Sequence, residues 1–417
     1  MASKTFCPTP WLELYVKPNG DVYPCCDIPK RPETVCGNIN KDKFIDIVNH
    51  PVYKEIRQSM LAGEKHSHCN NCWKREDLSG KSLRTKRNTP KYMRIMDPEF
   101  SEENAQDTVE HIKAMKIDFS NGCNLKCPMC GPERSTAWFK DKLAFEKDFK
   151  HFGEIIPEEY RYLSFKRTPE QWDSIKATIP ISFIDDNLEF LLGMNMFDIS
   201  GGEPFFHPQF LYLIDKLYEN NWRGRLKVIT NLTLLTPEIV EKLAFFDTSL
   251  SISCDGYGDL YEYVRPSIVH GKYKWSDMEK SVQMLSGTNP KSYYIRHSFS
   301  YTPQLLNFYN IIPWLEFTKA NPELYSNRLQ ILNEPLIWPL HLCLGVHPDK
   351  DEKQRLIDDL QPYEDIYGVT SIQKHLAVEV PDRTWPNFCH FINFLDKQRK
   401  TSIMKYVPQF EKYWIYE

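Results

Sequence analysis

Residues 112–130 read IKAMKIDFSNGCNLKCPMC, and the fold turns on them. The first nine, IKAMKIDFS, form a short apolar run with β-branched residues, the composition of a strand. The next ten set Cys123, Cys127 and Cys130 on a tight loop at that strand's carboxyl end, where α/β barrels build their sites. Three closely spaced thiolates can hold three irons of a cubane and leave the fourth iron open to a small molecule. They can also be half of a zinc site, and spacing alone does not choose between the two.

Downstream, similar runs recur with helical-length segments between them: MFDIS (196–200), LKVIT (226–230), LSISC (250–254), YYIRHSFS (293–300) and LQILN (329–333). Helices are expected over 209–220 and 237–245, the second with Thr236 as N-cap and Pro237 at its first position. Repeated β-α units predict an α/β fold, a (βα)6 partial TIM-type barrel over 111–335. Residues 138–190 form a long insertion, and 336–417 read as a mainly helical extension whose last segment, YVPQFEKYWIYE, is expected to pack.

The 417-residue chain, 41% hydrophobic and 13% aromatic, has the composition of a globular protein of two or three domains. It shows neither a signal-peptide h-region nor a membrane-length apolar stretch, so the cytoplasm is the expected location. There, twelve cysteines imply metal chemistry rather than disulfides. Six of them fall within residues 1–80, a loop-rich segment too small to bury a sufficient core, so ligation is its expected staple. A net charge of -4 excludes a general polyanion binder, and nucleic acid is not an expected partner. Lys81, Arg84, Lys86, Arg87, Lys91 and Arg94 make one local basic run inside a polar linker, 81–110. Its two readings are a solvated connection and a phosphate contact.

The strand ending at Ser200 runs straight into Gly201, Gly202, Glu203 and Pro204. The chain here resembles the radical S-adenosylmethionine (SAM) superfamily, in which a CxxxCxxC loop binds a [4Fe-4S] cluster and a GGEP-type turn receives SAM's amino group. Glycines let a backbone approach a ligand closely, and carbonyls with a carboxylate suit an ammonium. SISCDGYGDLYEYVRPS (251–267) is similar to the family's Ser-x-Asp-Gly and Tyr-x-x-x-Arg pattern. The resemblance implies Ser253 at the ribose or methionine part of SAM and Arg265 at its carboxylate, with Asn231 in the same pocket. Met129 stands where the family more commonly has an aromatic residue near the adenine; a polarizable thioether can also pack on a purine. Asp255, His297, Tyr301 and Glu334, each at or beyond a strand end, are the catalytic candidates.

The N-terminal FCPTPWLELYVKPNGDVYPCCDIP and HCNNCWKRE resemble the SPASM or twitch auxiliary-cluster module of that superfamily, here ahead of the barrel rather than after it. The resemblance implies Cys7, Cys25, Cys69 and Cys72 as ligands of a second [4Fe-4S] cluster, with Cys26 and Cys36 as alternates. LELYV and VYPC, joined through KPNGD, predict a hairpin that brings Cys7 and Cys25 together. A four-thiolate zinc site is the other reading, and His66 and His68 flank it. The family implies reductive cleavage of SAM to a 5'-deoxyadenosyl radical that takes hydrogen from an unactivated C–H bond of a peptide or protein. A flavodoxin- or ferredoxin-type donor would supply electrons. A small-molecule or nucleotide substrate is the alternative within the class, and a non-catalytic, zinc-loaded interaction protein the alternative outside it.

Overall fold

The computed structural model describes residues 4–109, 112–151, 177–269, 273–286, 295–322 and 331–416. Eight strands form one sheet: β1 (Glu13–Val16), β2 (Asp21–Tyr23), β3 (Gly37–Asn38), β4 (Ala114–Asp118), β5 (Met196–Ser200), β6 (Arg225–Thr230), β7 (Asp247–Ser253) and β8 (Ile295–Ser300). Their order is β3-β2-β1-β4-β5-β6-β7-β8, an α/β sheet that does not close into a barrel among the described residues. Five of the six expected barrel strands are present as β4 to β8. The sixth is corrected: Leu329 and Gln330 lie outside the described residues, and Ile331–Asn333 are not strand. Asn333 keeps one ladder-like bond, its N–H donating to the Tyr301 carbonyl at 2.7 Å. Pro335, two residues on, has no N–H with which to extend a ladder.

The chain divides into two compact units, the first made of Met1–Asn121, Trp172–Val228 and Glu241–Ser249. In it β1 pairs in parallel with β4, Tyr15 opposite Lys116, and β4 with β5, Lys116 opposite Asp198. One face of these strands is apolar: Leu14, Val16, Met115, Ile117, Phe197 and Ile199 are all buried. The helix Pro208–Glu219 buries Phe210, Leu213, Ile214 and Leu217, spaced for one helical face, and Phe210 meets Phe119 at 6.3 Å. Each such burial stabilises by about 1.5–3 kcal/mol.

The expected hairpin is present, with β1 antiparallel to β2 and Gly20 turning at φ +86°. The β1–β4 pairing makes that hairpin an extension of the sheet. The basic run is not a loose linker either. Leu83–Arg87 and Pro90–Met96 are helices, capped by Ser82 and Thr89. Lys81, Lys86, Lys91 and Arg94 are exposed, while Arg84 and Arg87 are buried against Glu76 and Glu13. A charge-sign count could not separate these two from their neighbours, because their partners lie elsewhere in the chain.

The second unit comprises Gly122–Gln171, Ile229–Val240 and Leu250–Glu417. Its core is aromatic: Trp138 and Phe145 pack with Trp385, Phe388, Phe391 and Phe394 of the helix Thr384–Arg399. Phe410, from the terminal aromatic segment, is buried in the same cluster. Among the described residues no helix is long and apolar enough to cross a membrane.

Candidate functional site

In the second unit, the loop carrying Cys123, Cys127 and Cys130 is held on several sides. The Leu125 backbone bridges Ser267, and the Lys126 N–H donates to the Pro266 carbonyl at 3.0 Å. Ser135 Oγ donates to the Leu125 carbonyl at 2.6 Å, and Trp138 Nε1 to the Cys127 carbonyl at 2.9 Å. Cys127 and Cys130 share a hydrogen bond that pulls the Cys127 thiol down to about 7 and pushes Cys130 up. Asn231 Nδ2 donates to Asn124 Oδ1 at 2.9 Å and lies 3.9 Å from Cys123 Sγ.

Arg265 is fixed at the same place. It bonds to Asp255 Oδ2, while Asp255 Oδ1 accepts from the Thr302 N–H at 2.9 Å. The Arg265 Nε is buried and has no hydrogen-bond partner among the described residues. A buried guanidinium donor with nothing to receive its proton is costly, so an acceptor is expected there. SAM's carboxylate is such an acceptor, and the residues present therefore fit the group that the sequence implies. Ser253 ends β7, half-buried, and Met129 packs on the aromatic core.

The Gly201–Pro204 turn belongs to the first unit. Gly201 sits at φ +121°, and a Cβ there would lie 2.6 Å from the Ser120 carbonyl oxygen. The Gly202 N–H donates to that same oxygen at 3.0 Å. The Glu203 side chain, 1% exposed, accepts from the Phe205 N–H at 3.2 Å and caps the turn Pro204–Phe206. Glycine is thus required by contact as well as by backbone conformation.

Also in the first unit, Cys7, Cys25, Cys69 and Cys72 together line one cavity, with Asp27, His68 and Arg84. Burial and the neighbouring thiols push Cys69 up to about 12, and burial pushes Cys72 up to about 11. Iron would reverse that by taking the thiolate form. Four thiols that ring one cavity suit a cluster, whose ligands attach at separate corners. Cys36 is buried elsewhere, its Sγ donating to the Thr34 carbonyl at 3.7 Å; neither Cys26 nor His66 lines the cavity.

Of the four catalytic candidates, Asp255 touches Arg265. Tyr301 is fully buried, its ring 5.2 Å from Trp314 and its hydroxyl donating to Asn310 Oδ1 at 3.3 Å. His297 is buried as well. Glu334 is exposed and accepts from the Tyr367 hydroxyl at 2.8 Å. Sequence reasoning missed a charged layer on the sheet face opposite the apolar one: Tyr15, Lys116, Asp198 and Lys227 stand side by side on β1, β4, β5 and β6. The readable signal was a charge inside each apolar strand, as in MKID and FDIS.

Residues 117–294 match the family model of the radical SAM superfamily, and residues 7–73 match that of an iron-sulfur cluster-binding domain, SPASM. The chain thus carries a radical SAM domain. Its particular form has the SPASM domain ahead of the SAM-binding domain, so a [4Fe-4S] cluster with SAM and an auxiliary cluster site belong to it. No curated protein sequence matches. Among solved structures, anSMEcpe with bound AdoMet is 14% identical with a TM-score of 0.37, covering 60% of this chain and 59% of that one. The chain therefore spans less than two thirds of that protein's length. Streptococcus suis SuiB bound to S-adenosylmethionine is 13% identical, covers 84% of this chain and 69% of that one, and scores 0.33.

Proposed function

We propose that this protein reductively cleaves SAM and abstracts a hydrogen atom from an unactivated C–H bond of a peptide or protein. The Arg265 Nε, buried and without a hydrogen-bond partner among the described residues, beside the Cys123–Cys130 loop, carries the reading. When bound, the cluster and SAM supply one-electron cleavage of a carbon–sulfur bond and hence the hydrogen-abstracting radical. The chain's own residues do the rest. Cys123, Cys127 and Cys130 are the proposed cluster ligands, and the loop's bonds to 266–268 hold them in place. Arg265, oriented by Asp255, would receive SAM's carboxylate with a planar fork of donors. The Gly201–Gly202 backbone would approach the amino group.

Cys7, Cys25, Cys69 and Cys72 would hold the auxiliary cluster, with Cys36 outside it. Many SPASM-bearing members of the superfamily act on peptides, which supports that substrate class here. A flavodoxin- or ferredoxin-type protein is the proposed electron donor. The decisive experiment is anaerobic reconstitution followed by metal analysis and a 5'-deoxyadenosine assay. About eight irons per chain and reductant-dependent 5'-deoxyadenosine are expected. Cys123, Cys127 and Cys130 changed together to Ala should leave about four irons and no SAM cleavage. Zinc without iron in the native protein, or undiminished 5'-deoxyadenosine in the triple variant, would overturn the assignment.

A further inference from the structure

The charged layer on the first unit's sheet joins two places already described. At the carboxyl ends of its strands, Asp118 Oδ1 accepts from Ser200 Oγ at 2.6 Å, and Ser200 leads directly into Gly201. Asp118 Oδ2 accepts from the Tyr15 hydroxyl at 2.6 Å. Over Tyr15 lies Lys30, whose ammonium is 5.2 Å from that ring and donates to the Cys26 carbonyl at 2.9 Å. Cys25, the next residue back, lines the auxiliary cavity. The layer thus spans from the glycine turn to the Cys25–Cys26 loop.

Within it nearly every charge is spoken for. Lys116 pairs with Asp198 at 2.9 Å, with side chains 12% and 16% exposed, so the row still meets solvent. Arg87 pairs with Glu13 at 2.6 Å, and the Tyr92 hydroxyl also donates to Glu13. Both Asp118 oxygens are taken by hydroxyls. Lys227, half-buried and directly across from Asp198, is the exception: among the described residues it makes no hydrogen bond or ion pair, although Asp198, Glu13, Arg87 and Arg225 act on it electrostatically and the Tyr92 ring lies 6.0 Å away. Burial lowers its pKa, the mark of a cation held short of its solvation. A ligand reaching this face finds Asp118, Glu13 and Asp198 already engaged with hydroxyls or cations, and one ammonium with its donors unused.

We infer that this layer recognises the substrate and that Lys227 receives a substrate carboxylate, a reading that rests on the peptide assignment above for the source of that carboxylate. The test is competitive amine labelling of the anaerobic holoprotein with SAM. Acetylation of Lys227 by a succinimidyl ester is followed by peptide mass spectrometry, with exposed Lys81 as internal reference. Four additions are compared: glutarate, a Gly-rich heptapeptide with a central Glu, the same peptide with Gln, and inorganic phosphate. The expected result is roughly tenfold slower labelling of Lys227, and unchanged Lys81, with glutarate and the Glu peptide only. Protection by glutarate but not by the Glu peptide upholds the carboxylate site and removes the peptide reading. No protection by glutarate, or equal protection by phosphate or by the Gln peptide, overturns the inference.

Discussion

Replacing Arg87 by Met tests whether the former linker is structural. The guanidinium and the Glu13 carboxylate lie 2.6 Å apart with side chains only 8% and 4% exposed. Removing Arg87 leaves Glu13 a buried carboxylate with the Tyr92 hydroxyl as its remaining close donor. Breaking such a pair from one side costs roughly 3–5 kcal/mol, whereas replacing both members by apolar groups is often near neutral. For a unit of this size 1 kcal/mol moves Tm by about 2–4 °C, so R87M should unfold roughly 6–20 °C lower. Burial already holds the Glu13 pKa above its ordinary value, with Arg87 opposing that rise, so R87M should push it higher still. The folded state then binds the proton that the unfolded state releases, and the defect should shrink as pH falls toward the carboxylate range. Thermal unfolding by circular dichroism, anaerobically and at pH 8 and 5.5, measures both effects. The double change R87M with Glu13→Leu should recover most of the loss. An R87M protein that melts with the wild type at both pH values would refute the reasoning.

Three further outcomes follow from the geometry of the chain. Cys69→Ser should cut bound iron from about eight to about four per chain while Cys36→Ser leaves it unchanged, because Cys36 lies outside the cavity. Equal loss in both would show the wrong ligand set, and the readout is iron analysis with the cluster's visible absorption. Gly201→Ala places a methyl 2.6 Å from the Ser120 oxygen at a φ of +121°, so about 1–3 kcal/mol of strain and at least roughly tenfold weaker SAM binding are expected by anaerobic calorimetry. His347 is buried, its Nε2 2.9 Å from the Tyr309 hydroxyl, and burial lowers its pKa to about 4. Because the unfolded imidazole protonates first, stability should fall as pH drops from about 6.5 toward 4, by roughly 3 kcal/mol, and His347→Gln should flatten that slope. An unaltered acid profile in the variant, followed by denaturant unfolding of the apoprotein, would remove His347 as the cause.

Local signals carried much of the architecture. Strands β4 to β8 were readable because each is a short apolar run bounded by turn residues, and the β1–β2 hairpin because KPNGD supplies its glycine. Spacing singled out the Cys123–Cys130 loop, and the structure brings Cys7, Cys25, Cys69 and Cys72, named by the family resemblance, to one cavity. What escaped was pairing between distant segments. Nothing in LELYV says that it will lie beside KAMKI, yet that pairing sets Tyr15 beside Lys116. Arg84 and Arg87 looked like their exposed neighbours because burial is decided by Glu76 and Glu13, not by composition. The segment at 329–333 failed in the other direction: it has strand composition, but Pro335 follows closely.

The parallel pairing of β1 with β4 also sets a timetable for making the protein. Tyr15 emerges from the ribosome long before its partner Lys116, with about 100 residues between them, or roughly 5–20 s of synthesis at ordinary rates. Through that interval β1 has only the short β2 beside it, with the two-residue β3 beyond, and so small a sheet is marginal in water. Its other edge is an unpaired strand, the kind of surface that recruits foreign chains. A nascent chain stalled before residue 114 should therefore be markedly more prone to aggregation, and less able to keep iron, than one stalled after β4.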